Sequence, residues 1–379
     1  MEIEQGKWTA PAGWSWNTSG LLGRSVDLVL VFGATEVLET KEIFDQLRSR
    51  YPCAHILGCS TAGEICGIQV FDGACVATAV KFDHTELRGG SIRLKEVKDS
   101  LEAGASLAGS LEVDGLRHVL VLSDGLAVNG SDLVRGLTRN LPEEVTVTGG
   151  LAGDGDRFKK TYVFWNSEPR KDSIAVLGFY GNRLRVGFGS LGGWDAFGPE
   201  RLITRSKGNV LYELDGHSAL ELYKKYLGGH AEGLPATGLL FPLSLRTLQM
   251  ETGVVRTILA VNEQDRSMIF AGDLPEGAYA RLMKANFDRL ITGAMGAARI
   301  SQTGLGENAP ELALLISCVG RKLVLKQRVE EEIEGVREVL GENTFLAGFY
   351  SYGELCPFAP GEKCELHNQT MTITTCSER

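Results

Sequence analysis

Gly58-Cys59-Ser60-Thr61-Ala62-Gly63-Glu64 follows a short apolar run and gathers a thiol, two hydroxyls, two glycines and a carboxylate into seven residues. Small residues let a ligand reach the main chain, hydroxyls and free N–H groups can hold an anion, and a carboxylate can answer a cation. An amino acid presents both charges. The same residues also read as a strand-to-helix turn, with Ser60 or Thr61 as its cap and Glu64 completing a capping box.

Working outward, residues 27–32 read as a buried strand, 41–51 as a helix and 55–59 as a second strand ending at the turn, a βαβ start. Downstream, 75–82 and 86–94 read as neighbouring strands after the Asp72-Gly73 turn, which points to antiparallel pairing. A helix over 100–111, a strand at 118–122, a helix over 131–140 and a strand at 145–148 lead to a second glycine-rich turn, Gly149-Gly150-Leu151-Ala152-Gly153-Asp154-Gly155. Strands at 162–165, 173–180 and 184–190 follow, and such runs favour antiparallel sheet over a purely doubly wound fold. The expected fold class is α/β (α+β), with mixed, largely antiparallel sheets covered by helices in two packed domains.

Residues 1–24 read as an irregular amino-terminal arm, with Trp8, Trp14 and Trp16 among glycine, proline and serine. One domain is expected over 25–230 and a second over 231–379, joined at the glycine-rich stretch 227–235. A helix at 218–226 precedes that linker. Beyond it come strands at 254–260 and 267–270, a helix over 277–298, a strand at 313–317, a charged helix over 325–340 and strands at 346–351 and 370–374. No internal repeat is legible.

The formal charge is −9, from 48 acidic and 39 basic residues, and the basic ones are scattered, which argues against nucleic acid as a partner. No apolar run approaches the roughly 20 residues that cross a bilayer, and the amino terminus lacks a secretory pattern. A soluble, cytoplasmic protein without membrane insertion is expected. Eight cysteines in 379 residues are too sparse for a disulfide scaffold, so they read as core thiols, ligands or nucleophiles.

Six segments in order resemble the FIST family, a two-part sensory module with an amino-terminal and a carboxy-terminal FIST domain. They are the turns at 58–64 and 149–154; Tyr212-Glu213-Leu214-Asp215-Gly216 with Ala219-Leu220-Glu221-Leu222-Tyr223; Ser317-Cys318-Val319-Gly320-Arg321; Gly348-Phe349-Tyr350-Ser351-Tyr352-Gly353-Glu354; and His367-Asn368-Gln369-Thr370. The resemblance implies a sensor of small molecules such as amino acids. It would work with a separate partner such as a histidine kinase or a cyclic-di-nucleotide enzyme, and homodimerisation is left open. Some members are similar to haem proteins that report nitric oxide.

Four chemistries follow. In an amino-acid sensor, Cys59, Ser60, Thr61 and Gly63, with Gly150 from the second turn and Tyr352 from the third, line the site, and Glu64, Asp154 or Glu354 pairs with the ammonium. A haem sensor needs an axial histidine in an apolar pocket, and His217 is the candidate among six histidines. A zinc or iron–sulfur redox sensor would use Cys356, Cys364, His367 and Cys376, separated by seven, two and eight residues. An enzyme would use Cys59 as nucleophile, its thiolate favoured by N–H groups of the turn. Standard phosphate-loop, dinucleotide and hydrolase motifs are absent, so binding without catalysis is the expectation.

Overall fold

The computed structural model describes residues 1–17, 25–234, 236–247, 250–359 and 361–378. Among them are three six-stranded sheets and one eight-stranded sheet. The three six-stranded sheets share one plan. Each is built on a parallel pair joined through a helix, as parallel strands require: Leu28–Gly33 with His55–Ser60, Leu116–Ser123 with Thr146–Leu151, and Leu312–Cys318 with Phe345–Ser351. The linking helices are Lys41–Arg50, Gly130–Asn140 and Val329–Leu340. Two antiparallel strands extend each pair on the side of its first strand: Cys75–Lys81 then Glu2–Thr9, Ser173–Tyr180 then Glu86–Arg93, and Met371–Ser377 then Arg185–Leu191.

The other edge of each sheet is completed by a neighbouring unit. After His55–Ser60 the chain leaves the first sheet and adds Glu64–Cys66 to Phe345–Ser351 in the third. After Phe345–Ser351 it adds Gly353–Pro357 to Thr146–Leu151 in the second. After Thr146–Leu151 it adds Val163–Trp165 to His55–Ser60 in the first. The three units therefore exchange strands in a closed cycle. This repeat is invisible to a reading for self-similarity, because it is one of topology and the side chains differ. The core mixes all three units, as in the stack of Phe32 on Phe349 at 4.7 Å.

The mixed, largely antiparallel α/β character agrees with the sequence expectation, whereas the irregular arm does not. Glu2–Thr9 pairs along Cys75–Lys81 and turns back through Gly13–Trp16. Its buried positions include Glu4 and Gln5, so apolar alternation fails to show it. Gln5 Nε2 donates to Thr78 Oγ1 at 3.1 Å and to Leu346 O at 2.9 Å. Residues 18–24 of the expected arm lie outside the described residues.

The smaller domain is a lobe inserted between Arg185–Leu191 and the helix Phe287–Thr303. It contains the eight-stranded sheet, from Asp195–Lys207 to Tyr279–Lys284, around a core that includes Ile203, Leu211, Tyr223 and Phe270. The glycine-rich stretch read as a linker near 230 is a short 3₁₀ helix within this lobe, Gly228–Gly233. The helix expected over 277–298 is instead the strand Tyr279–Lys284 followed by Phe287–Thr303, which Asn286 caps by accepting from Arg289 N at 3.3 Å.

Candidate functional site

The three exchange turns meet. Gly153 N donates to Ser60 O at 2.9 Å and Gly155 N to Thr61 O at 3.1 Å; Ala62 N donates to Tyr350 O at 2.8 Å; Tyr352 N donates to Leu151 O at 3.1 Å. A Cβ on Gly153 would lie 2.7 Å from Ala62 N, so only glycine permits this approach. Gly63 has φ 141°, and a Cβ there would meet Lys322 Nζ at 2.5 Å; without one, Nζ reaches Ala62 O at 2.8 Å.

Each turn carries a buried carboxylate, and each is consumed in holding its own crossing. Glu64 accepts from Thr61 Oγ1 at 2.5 Å and Ala74 N at 3.2 Å. Glu354 accepts from Ser351 Oγ at 2.6 Å and from Thr370 N and Oγ1 at 3.2 and 3.0 Å. Burial pushes both carboxyls up to about 8 despite these donors. Asp154 differs. Burial would raise its pKa, but the Arg157 guanidinium at 2.6 Å, the Thr35 hydroxyl and the N–H groups of Lys159 and Lys160 outweigh it and hold the carboxyl below its ordinary range.

Thr61, Gly63 and Glu64 line a cavity of about 730 Å³ between the first and third units. Its other polar groups are Glu36, Asp72, Asp156, Arg157, Lys322 and Lys326. Arg157 pairs with Glu36 at 2.5 Å, and Lys322 with Asp72. None of these six was singled out from the sequence as a site residue. The available signals were position: Asp156 and Arg157 directly follow the second glycine-rich turn, and Lys322 follows the Ser317–Arg321 segment. A second cavity, about 250 Å³, is lined by Tyr352, whose ring stacks on Phe158 at 4.3 Å, and by residues 125–129. An apolar groove of about 940 Å³ runs between core and lobe. It shares Asp156, Leu323 and Lys326 with the first cavity and Phe158 and Leu259 with the second, so the three spaces adjoin along Asp156–Phe158.

Other expected site residues sit in the core. Cys59 is fully buried between Phe32 and Val163 on adjacent strands, and burial pushes its thiol well up, the reverse of an activated nucleophile. Ser60 Oγ donates to Gly153 O at 2.8 Å and accepts from Tyr162 N at 2.9 Å, so its hydroxyl is occupied. Gly150 is a packing glycine, since a Cβ would come within 2.6 Å of Ile316. Glu354 is fully buried.

His217 is exposed on the lobe, its Nδ1 2.9 Å from Asp215 O, which does not suit an axial ligand in an apolar pocket. The expected cysteine–histidine set does not converge. Cys356 and Cys364 lie on paired strands and His367 Nε2 bonds Cys356 O at 2.8 Å, but Cys376 stands in the third sheet, in a different core cluster. Among the described residues no group of three or more His, Cys, Asp or Glu is placed to hold a metal ion. No helix among them is long and apolar enough to cross a membrane.

An uncharacterized protein of Methanocaldococcus jannaschii is 24% identical over 359 residues, 88% of this chain; the chain spans 66% of that relative's length. Two solved cyanuric acid hydrolase structures align weakly. One, from A. caulinodans, has a TM-score of 0.36 and 9% identity over 94% of this chain and 90% of that one. The other has a TM-score of 0.31 and 8% identity over 99% of both. The FIST N domain model matches residues 27–217 and the FIST C domain model residues 219–357. Together they span most of the chain, and the protein belongs to the FIST family, whose domains are sensory, ligand-binding domains.

Proposed function

We propose that this protein senses a small charged molecule, an amino acid or one of like size, in the cavity where the first and third units face each other. The observation that carries the proposal is the composition of that cavity: Arg157, Lys322 and Lys326 can receive a carboxylate, while Asp156, which forms no ion pair with a described residue, can receive an ammonium. The ammonium duty expected of Glu64, Asp154 or Glu354 passes to Asp156, because the turn carboxylates are engaged internally and Glu36 and Asp72 pair with Arg157 and Lys322. Binding without turnover is consistent with the inert setting of Cys59. The inserted lobe, which lines the groove adjoining this cavity, is the element whose closure would report occupancy to a separate signalling partner such as a histidine kinase or a cyclic-di-nucleotide enzyme.

Calorimetric titration with a panel of amino acids at neutral pH tests the ligand class. At least one is expected to bind, and Arg157→Gln and Asp156→Asn are each expected to weaken it by about tenfold or more, the scale of a charge-assisted hydrogen bond. Thermal unfolding of the unliganded variants separates a lost site from a lost fold. Absence of binding by every amino acid in the panel removes this ligand class.

A further inference from the structure

The groove between core and lobe is distinct in chemistry from the polar cavity beside it. The lobe lines it with Leu234, Leu239, Leu240 and Phe241 among others, and the core with Phe158, Phe287, Leu323 and Val324. Phe287 and Leu259 on its walls are 46% and 42% exposed, and both open onto this space. Its charged lining is Lys284, Lys326 and Asp156. Both lysines are exposed, and neither forms an ion pair with a described residue.

Lys326 carries a second sign. It ends the helix Val319–Leu325 with φ 51° and ψ −116°, a left-handed conformation that disfavours any side chain. The lobe helix Ala219–Leu227 ends in the same conformation, φ 56° and ψ −126°, and there the residue is Gly228. In both places a 3₁₀ turn follows, so the backbone demand is the same. A lysine thus stands where glycine would be unstrained, at the junction of an apolar groove and a polar cavity.

We propose that the groove is a binding site for an amphiphilic carboxylate, with an acyl or aryl body between lobe and core and its carboxylate at Lys326 and Lys284. The apolar walls supply the hydrophobic term and the unpaired lysines select the anion. This site is additional to the amino-acid cavity, and occupancy by a ligand touching both lobe and core would favour the closed arrangement.

Dodecanoate, titrated calorimetrically below its micellar concentration, tests it. Saturable binding is expected, with dodecylammonium binding at least tenfold more weakly. Lys284→Glu and Lys326→Gly should each weaken dodecanoate by about tenfold or more. Lys326→Gly should also leave the melting temperature unchanged or raise it by about 2 °C, because strain is relieved. The amino-acid arm is read on the same samples: Lys326 lines both spaces, but Arg157→Gln should leave dodecanoate affinity intact and Lys284→Glu should leave amino-acid affinity intact, so either site can fail without the other. The proposal is overturned by absence of saturable dodecanoate binding, by equal affinity for dodecylammonium, or by unchanged affinity in both lysine variants. It is also overturned if sedimentation shows a dimer that Phe287→Ser dissociates, since the groove would then seat a second copy of the chain.

Discussion

Glu64 and Glu354 show how one residue type at one spacing can serve a different end from the one its exposure in sequence suggests. A glutamate three residues after a hydroxyl residue reads as a ligand for a cation or as a capping box. In the fold, Thr61 and Ser351 do donate to these carboxylates, but the remaining acceptors go to Ala74 and Thr370, where the exchanged segments return. Both carboxyls are raised to about 8 by burial, from an ordinary 4.5. Between those values the native state keeps protons that the unfolded chain has released, so these groups make stability fall as pH rises; above about 8 both states are ionised and the effect levels off. The Glu64→Gln, Glu354→Gln double variant is therefore expected to show a flatter melting temperature from pH 5 to 8 than the parent. An unchanged slope would mean that neither carboxyl holds its proton in the native state.

Among elements, the amino-terminal hairpin is the informative exception. The second and third units lay a helix before their parallel pair, Ser100–Gly109 and Phe287–Thr303. In the first unit the hairpin strand Gly13–Trp16 follows the opening strand at that point of the plan. Its Trp14 and Trp16 stack at 5.1 Å, Trp16 meets Tyr51 edge-on at 5.8 Å, and Arg50 lies 4.1 Å over the Trp16 ring. Trp16→Ala is expected to cost about 2–3 kcal/mol, less than a fully buried tryptophan, measured by urea unfolding. A loss within a few tenths of a kcal/mol would mean the hairpin is held by its backbone pairing alone. Two of the legible helices carry their own caps, Asp99 accepting from Glu102 N and Asn129 from Asp132 N. Strands such as Asp195–Lys207 were not legible, because Gly198 and Pro199 within it read as a turn.

At the scale of the whole molecule, Arg256 is a buried polar tie between the lobe and the three-unit core, beside Asn129 with Asp273 and Gln369 with Leu239. Arg256 is 5% exposed; Nη1 donates to Leu366 O of the core at 2.9 Å and Nε to Asp273 O of the lobe at 3.2 Å, while burial pushes the guanidinium down to about 10. Arg256→Met keeps most of the side-chain length and removes these donors. Hydrogen exchange is expected to quicken across the lobe strands and to stay unchanged in the parallel pairs of the core. Equal protection in variant and parent would show that the Arg256 tie does not hold the lobe to the core.

The chain's own order of residues determined the secondary-structure class, the mixed sheets, most capped helices, the glycine-rich turns and the family, because each is encoded by local pattern and short-range chemistry. Tertiary structure alone decided that three such turns meet, since strand exchange brings together residues nearly 300 positions apart, such as Ala62 and Tyr350. It also decided which charges face a cavity. A carboxylate is available to a ligand only if the fold leaves its oxygens unclaimed, and the partners that claim Glu354 or release Lys326 are set by packing between units rather than by the neighbours in sequence.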